Sequence, residues 1–288
     1  MKELFGCALS SGTLSTAVRQ CASGLVETEL KIKRGLRRSS VIHADETGLR
    51  VGGRLHYVHV ASNSRLTHYG ADARRGKGAM DDIGILPKYR GTCVHDGWLS
   101  YTFYPKSRHA LCGAHLLREL VYFEELGAET KTWASPLKEL LLEMKAEVER
   151  VCAEGGQRLA AEKLATLTAN YDRLIGEGLK APPPLDVPEG VRKQGRNLLL
   201  RLERRKEEVL RFVTDFSVPF DNNQAERDIR MIKLQQKTSG CFRTEEGSRQ
   251  FCRIRSYLST MRKQGRGVLH SLEGACRGKP LSVRKRSG

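Results

Sequence analysis

Three acidic residues sit where a carboxylate is costly unless it is used. Asp45 falls near the end of VIHADETGLRV (41–51), whose Val41, Ile42 and Ala44 read as a buried strand. Asp96 ends a second strand in GTCVHDGW, and Glu226 lies early in a helix that follows DNN (221–223). An ionised carboxylate taken out of water without a partner is expensive. Two strands and one helix can bring three such groups to one point, where their repulsion raises at least one pKa. A divalent cation removes that cost. Mg²⁺ prefers oxygen, takes one or two protein carboxylates, and keeps waters and phosphate oxygens. A pair of such ions can activate a water or hydroxyl and stabilise the leaving oxygen of a phosphodiester. Plainer readings stand beside this one. A strand-end acid is commonly just solvated, Glu226 and Arg230 match an ordinary helical ion pair, and Glu46 could be the functional acid in place of Asp45.

Other residues near these acids could do chemistry. Cys112 and His115, in CGAH, have the spacing of half a zinc site, but no second half follows at a matching spacing. A buried cysteine and a capping histidine is the alternative. Trp98, two residues after Asp96, could stack on an unpaired base or fill a core.

The elements that must position these residues are readable. Residues 13–34 carry Leu14, Val18, Cys21 and Leu25 at helical spacing. VIHADETGLRV, RLHYVHVAS and RLTHYGA read as three strands of a meander, with Gly52-Gly53 as a hairpin turn. GKGAMDDIGILPKY reads as a short helix closed by Pro87; GTCVHDGW and RHALCG read as the fourth and fifth strands. From about 115 to 215 the pattern is helical. Leu137, Leu140, Leu141, Met144, Val148 and Val151 form one apolar stripe. Ala160, Leu164, Leu167, Tyr171 and Leu174 form a second; Leu198, Leu202, Val209 and Phe212 suggest a third. Pro182-Pro183-Pro184 separates the last two. In the helix after DNN, Ala225, Ile229 and Ile232 make an apolar face, while Glu226, Arg230, Lys233 and Lys237 share another. A last helix is expected over about 247–264, followed by a basic tail.

Composition narrows the partners. The 288 residues include 50 Lys and Arg against 33 Asp and Glu, for a net charge of +17. Such a surplus points to a polyanion, most simply nucleic acid. No apolar run approaches a membrane span, and MKELFGCALSSG does not read as a signal peptide. The eight scattered cysteines include no C-x-x-C pair, which fits free thiols in a reducing cytosol.

HADETGLRV, VHDGW, CGAHLLREL and DNNQAER, the last followed by a Lys/Arg stripe, together resemble the transposases of the insertion-sequence 66 family, over about residues 39 to 264. The resemblance implies an α/β ribonuclease-H-like core: a mixed sheet with flanking helices, interrupted by an all-α insertion. It implies a DDE triad of Asp45, Asp96 and Glu226, binding Mg²⁺ or Mn²⁺. Three antiparallel strands, a helix and two parallel strands agree with that core. So does the wide gap between Asp96 and Glu226, which leaves room for the insertion. In such transposases a C-x-x-H at this place recurs near the active site, so Cys112 and His115 would orient metal ligands or contact DNA. Arg230, Lys233 and Lys237 would face the DNA backbone. The implied division is a helical N-terminal segment (1–38), the first part of the core (39–120), the insertion (121–215), the rest of the core with the Glu helix (216–265) and a basic flexible tail (266–288). The implied partners are element-end and target DNA, further copies of the chain on DNA, and accessory proteins of the same element; the implied location is the cytoplasm, on the nucleoid. Family members are usually longer at the N-terminus, with a zinc-binding module and a DNA-recognition segment, so a partial transposase is expected. An inactive DNA-binding remnant and a structure-selective nuclease are the competing expectations.

Overall fold

The computed structural model describes residues 10–181 and 188–284. The Pro182–Pro184 break, Cys7, and Lys285 and Arg286 of the tail lie outside them. The chain is α/β, with helices flanking a five-stranded mixed sheet in the order β3-β2-β1-β4-β5. The strands are β1 (Val41–Val51), β2 (Arg54–Ser62), β3 (Thr67–Asp72), β4 (Thr92–His95) and β5 (Arg108–Leu111). β1, β2 and β3 pair antiparallel, and β4 and β5 pair parallel. By its contacts the chain divides into two compact units: the residues up to Gly91 with Leu99–Ser107 and those from Asn223 onward, and Thr92–Trp98 with Arg108–Asn222.

The first unit starts with α1 (Ser11–Gly24) and α2 (Val26–Arg37). The single helix expected over 13–34 is therefore two, parted at Leu25, whose N–H bonds back three residues to Ala22. Leu25 is fully buried, so the apolar spacing runs straight through the break and hides it. The β1–β2 hairpin turns on Gly52 and Gly53, both at positive φ (55° and 78°), as a tight two-residue turn demands. After β3 comes α3 (Lys77–Ile83). It ends at left-handed Gly84, whose N–H caps Met80, and not at Pro87, which sits in a later 3₁₀ turn.

The remaining helices of this unit are α10 (Asn223–Ser239), α11 (Glu245–Lys263) and α12 (Val268–Cys276), the last lying where a flexible tail is expected and packed through Ala275 on Leu25, Tyr257 and Met261. Leu49, Val51, Val58, Val60 and Tyr69 of the sheet pack on Ala225, Ile229 and Ile232 of α10 and Cys252 of α11. β3 is an edge strand, and α11 covers that edge: the N–H groups of Thr67 and Tyr69 donate to the hydroxyls of Thr260 and Ser256 at 3.1 and 2.8 Å. Lys263, at the end of α11, donates to the carbonyl of Asn63 and to the carboxylate of Asp228, both at 2.7 Å. The Asp228 side chain is buried and that of Lys263 nearly so.

The second unit holds β4, β5 and the helices α4 (Gly113–Leu126), α5 (Ala128–Ala153), α6 (Ala161–Lys180), α7 (Glu189–Arg204), α8 (Lys206–Val209) and α9 (Arg211–Thr214). The stripes are buried much as their spacing required: Leu137, Leu140, Leu141 and Met144 of α5 meet Leu167, Tyr171 and Leu174 of α6 and Leu198 and Leu202 of α7. Ala160 lies just before α6 and is exposed. The third stripe spreads over three helices, since Val209 and Phe212 belong to α8 and α9.

Candidate active site

β1 presents its two acids to opposite faces. Side chains alternate along a strand, so Asp45 shares a face with Leu49 and Val51 and stands opposite Val60 on β2. That is the face α10 and α11 cover. Asp45 is half-buried and sits mid-strand, because the β1–β2 ladder runs on to Val51; it is not at the strand end the sequence suggested. Its Oδ1 accepts the N–H of Glu46 at 2.8 Å.

Glu46 faces the other way, into structure. Its side chain is 2% exposed, pairs with Arg75 at 2.8 Å and accepts the hydroxyl of Tyr101 at 2.9 Å. Arg75 also lies 6.0 Å over the ring of Tyr57. These contacts build Glu46 into the packing of that face.

α10 places Glu226 in its first turn, where the helix dipole favours a negative charge. Ala225, Ile229 and Ile232 are buried against the sheet, whereas Arg230, Lys233 and Lys237 are exposed. The helix is fixed from several sides. Tyr69 donates its hydroxyl to the carbonyl of Asp228 at 2.9 Å, Gln236 donates to the carbonyl of Gly48 at 2.9 Å, and Lys263 holds Asp228. Glu226 thus rides on a helix docked to the face of β1 that carries Asp45.

In the second unit Asp96 directly follows β4, as its sequence position indicated. Its Oδ1 accepts the N–H of Trp98 at 2.9 Å and closes a tight turn. Gly97 takes φ 96°, a conformation that favours glycine. Arg205 donates to its carbonyl at 2.8 Å. The N–H of Gly97 donates to Nδ1 of His95 at 3.0 Å, so that nitrogen is an acceptor and the ring proton is on Nε2. Nε2 then donates to Nδ1 of His109 at 3.1 Å. Burial, with His109 and Arg205 nearby, holds His95 well below the usual histidine range, so the ring is neutral at pH 7. Sequence reasoning missed His95, His109 and Arg205 as supports of the Asp96 turn; the adjacency of His95 to Asp96 was the one available signal. Trp98 is half-buried.

Cys112 is buried immediately before α4, and His115 is in its first turn. Their ligand atoms lie within 4.8 Å of one another. The sulfur of Cys112 accepts the N–H of buried Asn222 at 3.1 Å, and the N–H of Gly113 donates to the carbonyl of Phe220 at 2.7 Å. These two bonds hold the Phe220–Asn222 segment, from which the chain enters α10. No helix among the described residues is long and apolar enough to cross a membrane.

A family model described as the transposase IS66 family matches residues 1–250. No curated protein matches the chain.

Proposed function

The chain belongs to the IS66 family of transposases, and from that premise we propose that it is a DDE-type enzyme on a ribonuclease-H-like core, with Asp45, Asp96 and Glu226 as its catalytic carboxylates. The observation that carries this reading is the placement of Asp45 on the face of β1 that α10 covers, with Glu226 in the first turn of α10. The strand order, three antiparallel strands followed by a parallel pair, supports the core. On this reading the core comprises 39–120 and 216–265, residues 121–215 are a helical insertion, residues 1–38 are an N-terminal helical segment and residues 266–288 are a basic segment that includes α12.

The donor set suits a hard divalent cation, since three carboxylates offer oxygen only. Mg²⁺ or Mn²⁺, when bound, activates the attacking oxygen and stabilises the leaving one. The chain's own residues do the rest. Asp45 and Glu226 supply charge from a rigid sheet and a docked helix. Asp96 supplies it from a turn held by Gly97, His95 and Arg205. Arg230, Lys233 and Lys237 neutralise DNA phosphates along the exposed face of α10. Trp98 offers a ring to an unstacked base. Cys112 and His115 support the site. The reaction is hydrolysis of a phosphodiester at the element's end, followed by attack of the freed 3′-hydroxyl on target DNA, with copies of the chain assembled on the DNA.

The test uses Asp45→Asn and Glu226→Gln, which remove charge and nearly keep shape. Strand cleavage and joining with Mg²⁺ or Mn²⁺ is measured beside a gel shift on the same proteins. Cleavage should collapse in both variants while DNA binding persists. Equal cleavage by the wild type and both variants overturns the triad; binding without any cleavage by the wild type favours a non-catalytic DNA-binding role.

A further inference from the structure

Two helices far apart in the first unit's sequence, α1 and α12, share a core, and each carries a cysteine near its C-terminal end. Cys21 lies in the last turn of α1 and is buried; Cys276 is the last residue of α12 and is exposed. The helices come close here: a Cβ on Gly24 would lie 4.0 Å from the carbonyl oxygen of Ala275. Cys21 and Ala275 share a small core with Leu25, Tyr257 and Met261. Cys21 lies one turn before Gly24 and Cys276 directly follows Ala275, so both thiols flank this α1–α12 contact.

We propose that Cys21 and Cys276 form a reversible disulfide that staples α1 to α12. The pairing does not depend on the catalytic reading above. Burial, and then the neighbouring Cys276, pushes the Cys21 thiol up to about 12, so the exposed Cys276 makes the first attack. With a small disulfide such as oxidised glutathione as oxidant, the Cys276 thiolate attacks one sulfur and expels a glutathione thiolate, leaving a mixed disulfide. Cys21 then gives up its proton and attacks the Cys276 sulfur, expelling the second glutathione. Two protein thiols are oxidised, and one disulfide is reduced to two thiols. The second step is the slow one, because Cys21 is seldom a thiolate. Cys93, Cys112 and Cys252 are buried, and Cys152 and Cys241 are exposed, so they serve as internal controls.

The full chain is incubated with oxidised glutathione, quenched in acid, alkylated and mapped as peptides without reduction. A mixed disulfide at Cys276 should appear first and give way to a Cys21–Cys276 linked peptide. The oxidised protein should melt several degrees higher, and dithiothreitol should reverse both changes. Cys276→Ser, a surface change, should abolish the link and the shift. Reaction that stops at the mixed disulfide overturns the proposal, as does linkage of Cys276 to Cys241, to Cys152 or to a second chain. Because the mapping is done on the wild type, the result does not depend on the folding of any variant.

Discussion

Replacing Lys263 with methionine keeps most of the side chain's volume and removes its charge. The Asp228 carboxylate, 3% exposed, is then left buried without its cation. Breaking one partner of a buried pair typically costs about 3–5 kcal/mol. Gln224 still donates to Asp228 Oδ2 at 3.0 Å, which places the cost near the lower end, about 3 kcal/mol. Against a total stability of about 5–15 kcal/mol that is a large share. The pair itself is worth far less than this loss suggests. Burial holds the Lys263 ammonium below the ordinary lysine range even with Asp228 beside it, so the charge is costly where it stands. Removing both charges, in Asp228→Leu with Lys263→Met, should therefore return stability to within about 1 kcal/mol of the wild type. Urea unfolding followed by far-ultraviolet circular dichroism, on wild type, both single variants and the double variant, gives the coupling directly; it should be at least about 2 kcal/mol. A Lys263→Met protein within 1 kcal/mol of wild type, on the same scale, would refute the reasoning. A double variant as unstable as the sum of the singles would do the same.

Glu46→Gln should lower stability by about 1–3 kcal/mol through its bonds to Arg75 and Tyr101, yet leave metal-dependent cleavage far better preserved than Asp45→Asn does; the reverse ranking in a cleavage assay would make Glu46 the functional acid. His95 is held below its unfolded value near 6.5, so its contribution is complete above that value and declines as pH falls below it. Denaturation midpoints should accordingly drop between pH 7.5 and 5.5, by at most about 1.4 kcal/mol per pH unit for this group, and a midpoint that rises on acidification would contradict the neutral His95 ring. Gly91→Ala would set a Cβ 2.4 Å from the carbonyl oxygen of Ser40 and 2.6 Å from that of Ser39; a loss of about 1–3 kcal/mol in the same unfolding assay is expected, and a neutral result would show that this backbone yields. Lys233→Ala should weaken DNA binding similarly on all sequences and reduce the salt slope by about 1; titrations at several salt concentrations check it.

Much of the architecture could be read because it is written in local periods. The Gly52-Gly53 turn, the three-strand meander and the buried stripes of α5 to α7 follow from left-handed glycines, strand composition and helical spacing. What could not be read depends on neighbours far away in the chain. Asp45 and Glu46 are adjacent and chemically alike; only what covers each face of β1 tells them apart, Arg75 and Tyr101 on one side and α10, starting at Asn223, on the other. The break at Leu25 leaves no mark in apolar spacing. Proline is the louder punctuation and points to Pro87 as the end of α3, but Gly84 reaches the left-handed conformation first. The His95–His109 contact joins two parallel strands and has no short-range signature. Lys263 reads as one more basic residue of a basic helix until Asp228 is seen beneath it.

The hydroxyls of Ser256 and Thr260 that cover the edge of β3 have a consequence for synthesis on the ribosome. They lie 187 and 193 positions after the N–H groups they receive. At a translation rate of about 5–20 residues per second, β3 would be made roughly 10–40 s before its cover. For that interval the nascent chain exposes an open strand edge that can recruit any other extended segment. Completing the first unit therefore waits until α11 has been made, and premature termination before α11 would release a chain whose open edge favours aggregation.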